Sequence, residues 1–291
     1  EISACLVGSE MCIRDSGPTA QQIVAQLAAH GIRQVTGALV GDASLFDSLR
    51  GGPATGYAPD VPDLGGQLAA LTYDHGATGR SLSPAAFAAH ELVLTMRRAR
   101  IRARAAPGTG TAPPGAPVLA SVNSPPAEVL LKLMDVPSDD FFAEMLTKQL
   151  GARFGAAGSI SAGASVISQV AAIWGVHPVI VDGSGLSRAD RSSPAEIIAL
   201  LRALWATQTG DQLQAALPVM GVSGTVSSIG VHTPAQGNCV AKTGTLDYVT
   251  NLAGYCRVPA HHVIAFALCL DGPTNAVSYT HLRAHETGRN L

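Results

Sequence analysis

Val240-Ala241-Lys242-Thr243-Gly244-Thr245-Leu246 sets a lone lysine on a short run of β type, two residues before a glycine. Side chains on a strand repeat every two residues, so Lys242 and Gly244 share a face. The lysine brings a fixed positive charge to that face, and the bare glycine lets a second backbone approach closely. An extended peptide ending in a carboxylate suits such an edge. Working outward, 245–248 is a short turn, 249–256 reads as a second strand and 263–269 as a third. Connections this short permit only antiparallel neighbours.

Composition narrows the possibilities. At 291 residues and 47% hydrophobic, the chain can bury one sizeable core and a smaller one. With 19 basic against 21 acidic residues, no nucleic-acid partner is suggested, and the longest apolar run is far too short to span a bilayer. No metal site or cofactor is expected. His90-Glu91 lacks the second histidine of a zinc-protease helix, and His261-His262 falls in a turn.

Both ends look foreign. Residues 1–16 (EISACLVGSEMCIRDS) and 276–291 (AVSYTHLRAHETGRNL) resemble translated sequencing-adaptor sequence and are set aside as artefacts. The near-neutral balance survives their removal, and Cys239, Cys256 and Cys269 remain. If the second strand folds back about a turn near Asp247-Tyr248, Cys239 and Cys256 fall roughly opposite each other. A disulfide and two reduced core cysteines both fit that placement, and a disulfide would suit an exported protein. Cys269 reads as a buried residue.

Apolar Ile23, Val24, Leu27 and Ala28 recur at helical spacing over 19–30, and Gly31 follows as a stop. A strand is expected over 34–40, a long loop over 51–66 and a helix over 84–96 that buries Phe87, Leu92, Val93 and Met96. Beyond it, Arg98, Arg100, Arg102 and Arg104 alternate. On a strand they would line one face, as a solvated surface or a patch for an anionic polymer. A glycine- and proline-rich connection at 107–117 leads to a return strand at 118–122. Helices are expected at 127–134, at 141–150 with Gly151 as terminator, at 162–174 and at 194–205. A short buried strand is expected at 179–181. No internal repeat stands out.

Three segments in this order, Ser138-Asp139-Asp140-Phe141-Phe142-Ala143-Glu144-Met145-Leu146, Asp182-Gly183-Ser184-Gly185-Leu186-Ser187-Arg188 and Lys242-Thr243-Gly244, carry a resemblance. Together they resemble the low-molecular-mass class C penicillin-binding proteins, D-alanyl-D-alanine carboxypeptidases and endopeptidases, from about residue 17 to 275. The resemblance implies an α+β fold of the penicillin-binding-protein/β-lactamase transpeptidase type, with an antiparallel sheet flanked by helices. Its peptidase domain would comprise 17–39 and 123–275, interrupted by an inserted, mostly β subdomain over 40–122. The large insertion and the 182–188 segment favour a wall enzyme over a β-lactamase.

The implied chemistry is acyl transfer by a serine activated by a nearby lysine, using Ser-x-x-Lys, Ser-x-Asn and Lys-Thr-Gly motifs. Ser138 and Lys242 would take catalytic roles. Asp140, Thr243, Gly244 and Thr245 would bind substrate, with Lys242 and Thr243 on its terminal carboxylate and the Thr245 N–H as oxyanion donor. The implied partners are peptidoglycan stem peptides and β-lactams, in an exported protein.

Two departures qualify this. The lysines are Lys132, Lys148 and Lys242, and the residues three before them are Val129, Met145 and Cys239, so Ser-x-x-Lys is missing. The expectation is a truncated reading frame whose nucleophile lies upstream, and hence an inactive chain as given. Where the family has asparagine, Asp140 stands, and an ionised aspartate accepts hydrogen bonds but donates none. Ser138 to Asp140 would also suit a helix N-terminus in any protein. Ser184 and Ser223 lack the glycine spacing of a nucleophile elbow. The alternative from another class is a non-catalytic wall-binding protein that retains the groove.

Overall fold

The computed structural model describes residues 4–7, 19–78, 83–103, 106–259 and 262–272. It divides into two compact units, one made of Glu1–Pro125, Asp140–Val166 and Val181–Ser187, the other of Pro126–Asp139, Ile167–Ile180 and Arg188–Leu291.

In the first unit, α1 (Thr19–Ala29) turns Ile23, Val24 and Leu27 inward, as their spacing predicts. Helix α3 (Pro84–Arg98) starts where Ser83 accepts a hydrogen bond from Ala86 N and proline takes the first turn. Its Leu92, Val93 and Met96 join Val35, Leu39 and Ile101 in one core. Phe87 is half-buried, with its ring 6.0 Å from that of Tyr73.

The expected strand over 34–40 is two pieces, β2 (Gln34–Val35) and β3 (Leu39–Asp42). Parallel to β3 run β1 (Ala4–Val7), inside the stretch set aside above, and β5 (Gly108–Thr109). Strand β4 (Arg102–Ala103) pairs with β2. A methyl group on Gly41 would fall 2.2 Å from the Ala85 carbonyl oxygen, which explains how closely α3 lies on β3.

Several expectations for 40–122 give way to packing. Its longest element is α3, and its strands are short. Helix α3 runs through Arg98, and Arg100 takes a left-handed φ of 63°. The alternating arginines therefore do not line one strand face, and Arg104 lies outside the described residues. No return strand forms at 118–122. Val118 is 81% exposed, while Leu119, Ala120 and Val122 pack on the core as irregular chain. Within 51–66 the chain makes a 3₁₀ turn (Pro53–Thr55) and α2 (Val61–Leu64).

Helix α5 (Asp140–Phe154) also belongs to this unit, and it passes through Gly151, the expected terminator. Gly151 serves close approach instead, since a methyl there would meet Ala157 O at 2.5 Å and Gly163 N at 2.8 Å. The next helix, α6 (Ile160–Ile173), follows after a short turn.

The second unit contains α4 (Ala127–Asp135), α7 (Pro194–Leu204), α8 (Gln208–Ala216) and an antiparallel sheet. Ser193 and Glu196 form a reciprocal capping box at the start of α7. The sheet is β6 (Cys239–Leu246), β7 (Val249–Val258) and β8 (His262–Asp271), in that order. Its antiparallel order agrees with the short connections. Gly254 lets β7 lie close, as a methyl there would stand 2.0 Å from Val240 O. Tyr255 OH donates to Leu201 O at 2.6 Å and fixes α7 to the sheet.

Cys239 sits opposite Cys256 and the two are joined as a disulfide. Cys269 is exposed, not buried, because the last residues of β8, Leu268 to Asp271, are exposed on both faces of the strand. Val179 makes one isolated bridge to Arg191 and is 53% exposed, so the expected buried strand at 179–181 is not formed. No described helix is long and apolar enough to cross a membrane.

Candidate active site

Strand β6 is paired along its whole length with β7, which places Lys242 opposite Ala253 and Gly244 opposite Asn251. On its other edge, Ala241 N donates to Pro218 O and Val240 bridges Val219. Among the described residues, no strand pairs with that edge beyond Ala241. An edge of this kind can take a further extended segment.

Lys242 Nζ donates to Ser138 Oγ at 2.6 Å and to Thr243 O at 2.9 Å. The first bond joins residues 104 apart in sequence and brings two of the sequence-nominated residues together. Ser138 is held just past α4 with φ 63°. That left-handed conformation costs a non-glycine residue about 1 kcal/mol and is the kind of local strain that clusters at functional sites. Asp139 N donates to Met134 O at 2.8 Å and closes the turn.

Thr243 Oγ1 hydrogen-bonds Thr225 Oγ1 at 2.8 Å. Thr225 belongs to a 3₁₀ turn (Gly224–Val226) whose Gly224, with φ 59°, lies against Val136 O. The loop around 221–225 therefore braces both the strand and the approach to Ser138. Thr245 is exposed on β6, and a methyl at Gly244 would meet only Asn251 atoms, at 3.6 Å. Arg188 donates to Asp247 O at 2.9 Å and steadies the β6–β7 turn, where Tyr248 has φ 64°.

Sequence reading missed Asp135. It is 8% exposed at the carbonyl end of α4, where the helix dipole disfavours an anion. Burial pushes its carboxyl up to about 6, and the nearby Lys242 charge pulls it back down. The one signal in sequence was its place three residues before Ser138. Thr225 was visible only as part of a glycine-rich loop.

Asp140 opens α5 in the other unit and is half-buried. On the same helix Glu144 and Lys148 are fully buried. Lys148 Nζ contacts Asp47 Oδ1 at 2.5 Å and Leu49 O at 2.7 Å. Burial lowers the Lys148 pKa, and the Asp47 contact opposes that. Among the described residues, no cluster of metal-ligating side chains occurs.

Comparison with known proteins fits this geometry. Residues 62–287 match the model of the D-Ala-D-Ala carboxypeptidase 3 (S13) family. The chain is 29% identical over 161 residues to D-alanyl-D-alanine carboxypeptidase DacB of Haemophilus influenzae, covering 53% of this chain and 34% of that protein. It is 31% identical over 201 residues to a D-alanyl-D-alanine carboxypeptidase of an Actinomadura species, covering 65% and 37%. The chain thus spans about a third of the length of these curated relatives.

Among solved structures, penicillin binding protein 4 of Haemophilus influenzae superposes with a TM-score of 0.77 at 19% identity, over 94% of this chain and 79% of that one. A predatory endopeptidase of Bdellovibrio bacteriovorus superposes with a TM-score of 0.54 at 18% identity, over 92% and 71%. At these identities the likeness shows the fold. It is the α+β fold of the penicillin-binding proteins.

Proposed function

The chain belongs to the D-Ala-D-Ala carboxypeptidase 3 (S13) family, and we propose that it supplies the substrate groove of a serine-type D-alanyl-D-alanine carboxypeptidase that can also cut stem-peptide cross-links. The observation that carries this reading is the Lys242–Ser138 hydrogen bond beside the edge of β6 with which, among the described residues, no strand pairs beyond Ala241. A stem peptide would add to that edge as an extended strand. Its terminal carboxylate would face Lys242 and Thr243, and its scissile carbonyl would point toward the Thr245 N–H.

In such a site a serine hydroxyl attacks the carbonyl carbon between the two D-alanines. The C–N bond breaks, terminal D-alanine leaves with a proton on its amine, and an ester to the serine remains. Water then hydrolyses the ester. A β-lactam would form the same ester by opening its ring. Ser138, which accepts a hydrogen bond from Lys242, would hand a proton to the leaving amine.

Asp140, at the start of α5, would contact the peptide backbone as an acceptor. The attacking serine is not assigned to a residue of this chain, because no serine precedes a lysine by three residues. The second reading is a wall-binding protein that holds the peptide without cleaving it. We place the protein outside the cytoplasm, where the Cys239–Cys256 disulfide would persist.

Fluorescent penicillin decides between these readings. The complete reading frame around this chain is expressed, and covalent labelling is followed by gel. Labelling that is weakened by Lys242→Ala supports the acyl-enzyme. A folded, unlabelled product that still binds an acyl-D-alanyl-D-alanine peptide favours the wall-binding protein.

A further inference from the structure

The segment 182–188 is the one motif that the proposed chemistry leaves without a task. Its conformation is built around two carboxylates. Asp182 shapes it from within, as Oδ1 accepts from Gly185 N at 2.7 Å and Oδ2 from Ser187 N at 2.8 Å. Gly185 turns with φ 79°.

The second carboxylate comes from α5. Glu144 Oε1 accepts from Gly183 N at 3.1 Å, Ser184 N at 3.0 Å and Ser184 Oγ at 2.7 Å. Successive backbone N–H groups converging on one oxygen form an anion nest. Gly183 must lack a side chain to reach it, because a methyl would fall 1.9 Å from Thr147 Oγ1 and 2.7 Å from Ala143 O.

Stability alone does not account for Glu144. It is fully buried, and its Oε2 has no hydrogen-bond partner among the described residues. A buried carboxylate with half its capacity unmet costs more than an apolar residue of the same size. What the arrangement achieves is placement. Glu144 follows Asp140 by four residues on α5, so the two stand on neighbouring turns of one face. Lys148, four residues further on, fastens the same face to Asp47 and Leu49.

We propose that the 182–187 loop is a socket for Glu144, and that Glu144 is a positioning residue that sets the first turn of α5, and Asp140 with it, for the stem peptide. The functional part rests on the reading of Asp140 as a substrate-binding residue. The charged groups facing Glu144 are Asp182 from the loop and Lys148 from its own helix, with Asp47 behind the lysine.

Burial pushes the Glu144 carboxyl up to about 7, the Ser184 hydroxyl pulls it down, and the Asp182 charge adds to the rise. The ionised form accepts the three loop bonds more strongly than the neutral form does. The socket therefore tightens as pH rises through that value and slackens below it.

The test follows backbone amide signals of the ¹⁵N-labelled chain by NMR as pH is varied. Gly183, Ser184 and Asp140 amides are expected to shift together with one midpoint near neutrality. Glu144→Gln, which keeps the size and one acceptor, should abolish that shift while the chain still melts cooperatively. Ser184→Ala, which removes one of the three bonds, should leave the Gly183 shift in place. An Asp140 amide that does not follow the other two, or a shift that survives in Glu144→Gln, overturns the positioning role.

Affinity for an acyl-D-alanyl-D-alanine peptide is read separately, and Glu144→Gln should weaken it about fivefold, the scale of one weakened hydrogen bond. Equal affinity in both proteins also overturns the positioning role. A wild-type chain that binds no peptide overturns the functional reading, while the amide shifts still decide whether Glu144 governs Asp140.

Discussion

Two lysines of this chain are held by oxygen atoms at nearly equal distances and end in opposite circumstances. Lys148 Nζ lies 2.5 Å from Asp47 Oδ1 and 2.7 Å from Leu49 O, with no exposure. Lys242 Nζ lies 2.6 Å from Ser138 Oγ and 2.9 Å from Thr243 O, on a half-buried strand position. Burial, not bond length, separates their tasks. Inside the unit, Lys148 is a tie whose charge is already matched by a carboxylate. On the strand, Lys242 stays partly exposed, bonded to a serine hydroxyl and a backbone carbonyl with the Asp135 carboxyl nearby.

The largest expected effect breaks the tie. Lys148→Ala leaves Asp47 and the Leu49 carbonyl without their cation, and unfolding in urea should show a loss of roughly 3 kcal/mol. The low end of the range for broken buried pairs applies, since the Asp47 side chain keeps 28% exposure. Lys242→Ala should cost less than about 1 kcal/mol in the same assay. Equal losses would erase the distinction between the two lysines.

Next in size is the disulfide. Cys239 and Cys256 close a loop with a sequence separation of 17. Cross-links of that span contribute roughly 3 kcal/mol at most through the unfolded chain, less any strain. A reductant should lower the melting temperature of the native chain and leave that of Cys239→Ala/Cys256→Ala unchanged. An unaltered native melt would mean that the sheet holds its strands without the link.

The smallest effect lies beside Lys242. Asp135 is raised from its ordinary value to about 6 because burial disfavours its charge, so the folded chain holds a proton that the unfolded chain has released. Its contribution to stability is full below the usual carboxylate value near 4 and is lost as pH rises through about 6. Asp135→Asn should flatten that part of the stability profile in thermal melts. An identical slope in both proteins would remove Asp135 from the electrostatics of Lys242.

What could be read in the sequence was what local chemistry dictates. Short connections between apolar runs gave an antiparallel sheet, and the lysine two residues before a glycine falls on its first strand. The errors lie where distant contacts decide. Gly151 looked like a helix stop, yet its missing side chain makes room for Ala157 and Gly163. Cys269 looked buried within an apolar run, yet the end of β8 is exposed on both faces. The alternation of arginines over 98–104 was broken by a helix that ran on through Arg98. Asp135 and Glu144 escaped notice because a carboxylate on a helix is ordinarily solvated, and only packing reveals that these two are not.

The sequence distances of the two networks also fix an order of assembly on the ribosome. Glu144 finds its socket 40 residues downstream and Lys148 finds Asp47 well upstream, so both ties are available once Ser184 has emerged. Ser138 must wait for Lys242, 104 residues later, before its hydroxyl meets the ammonium. Because chains consolidate from the amino terminus as they are made, α5 is anchored before β6 is synthesised. A slow codon run between positions 184 and 242 would lengthen that interval without changing any contact in the finished molecule.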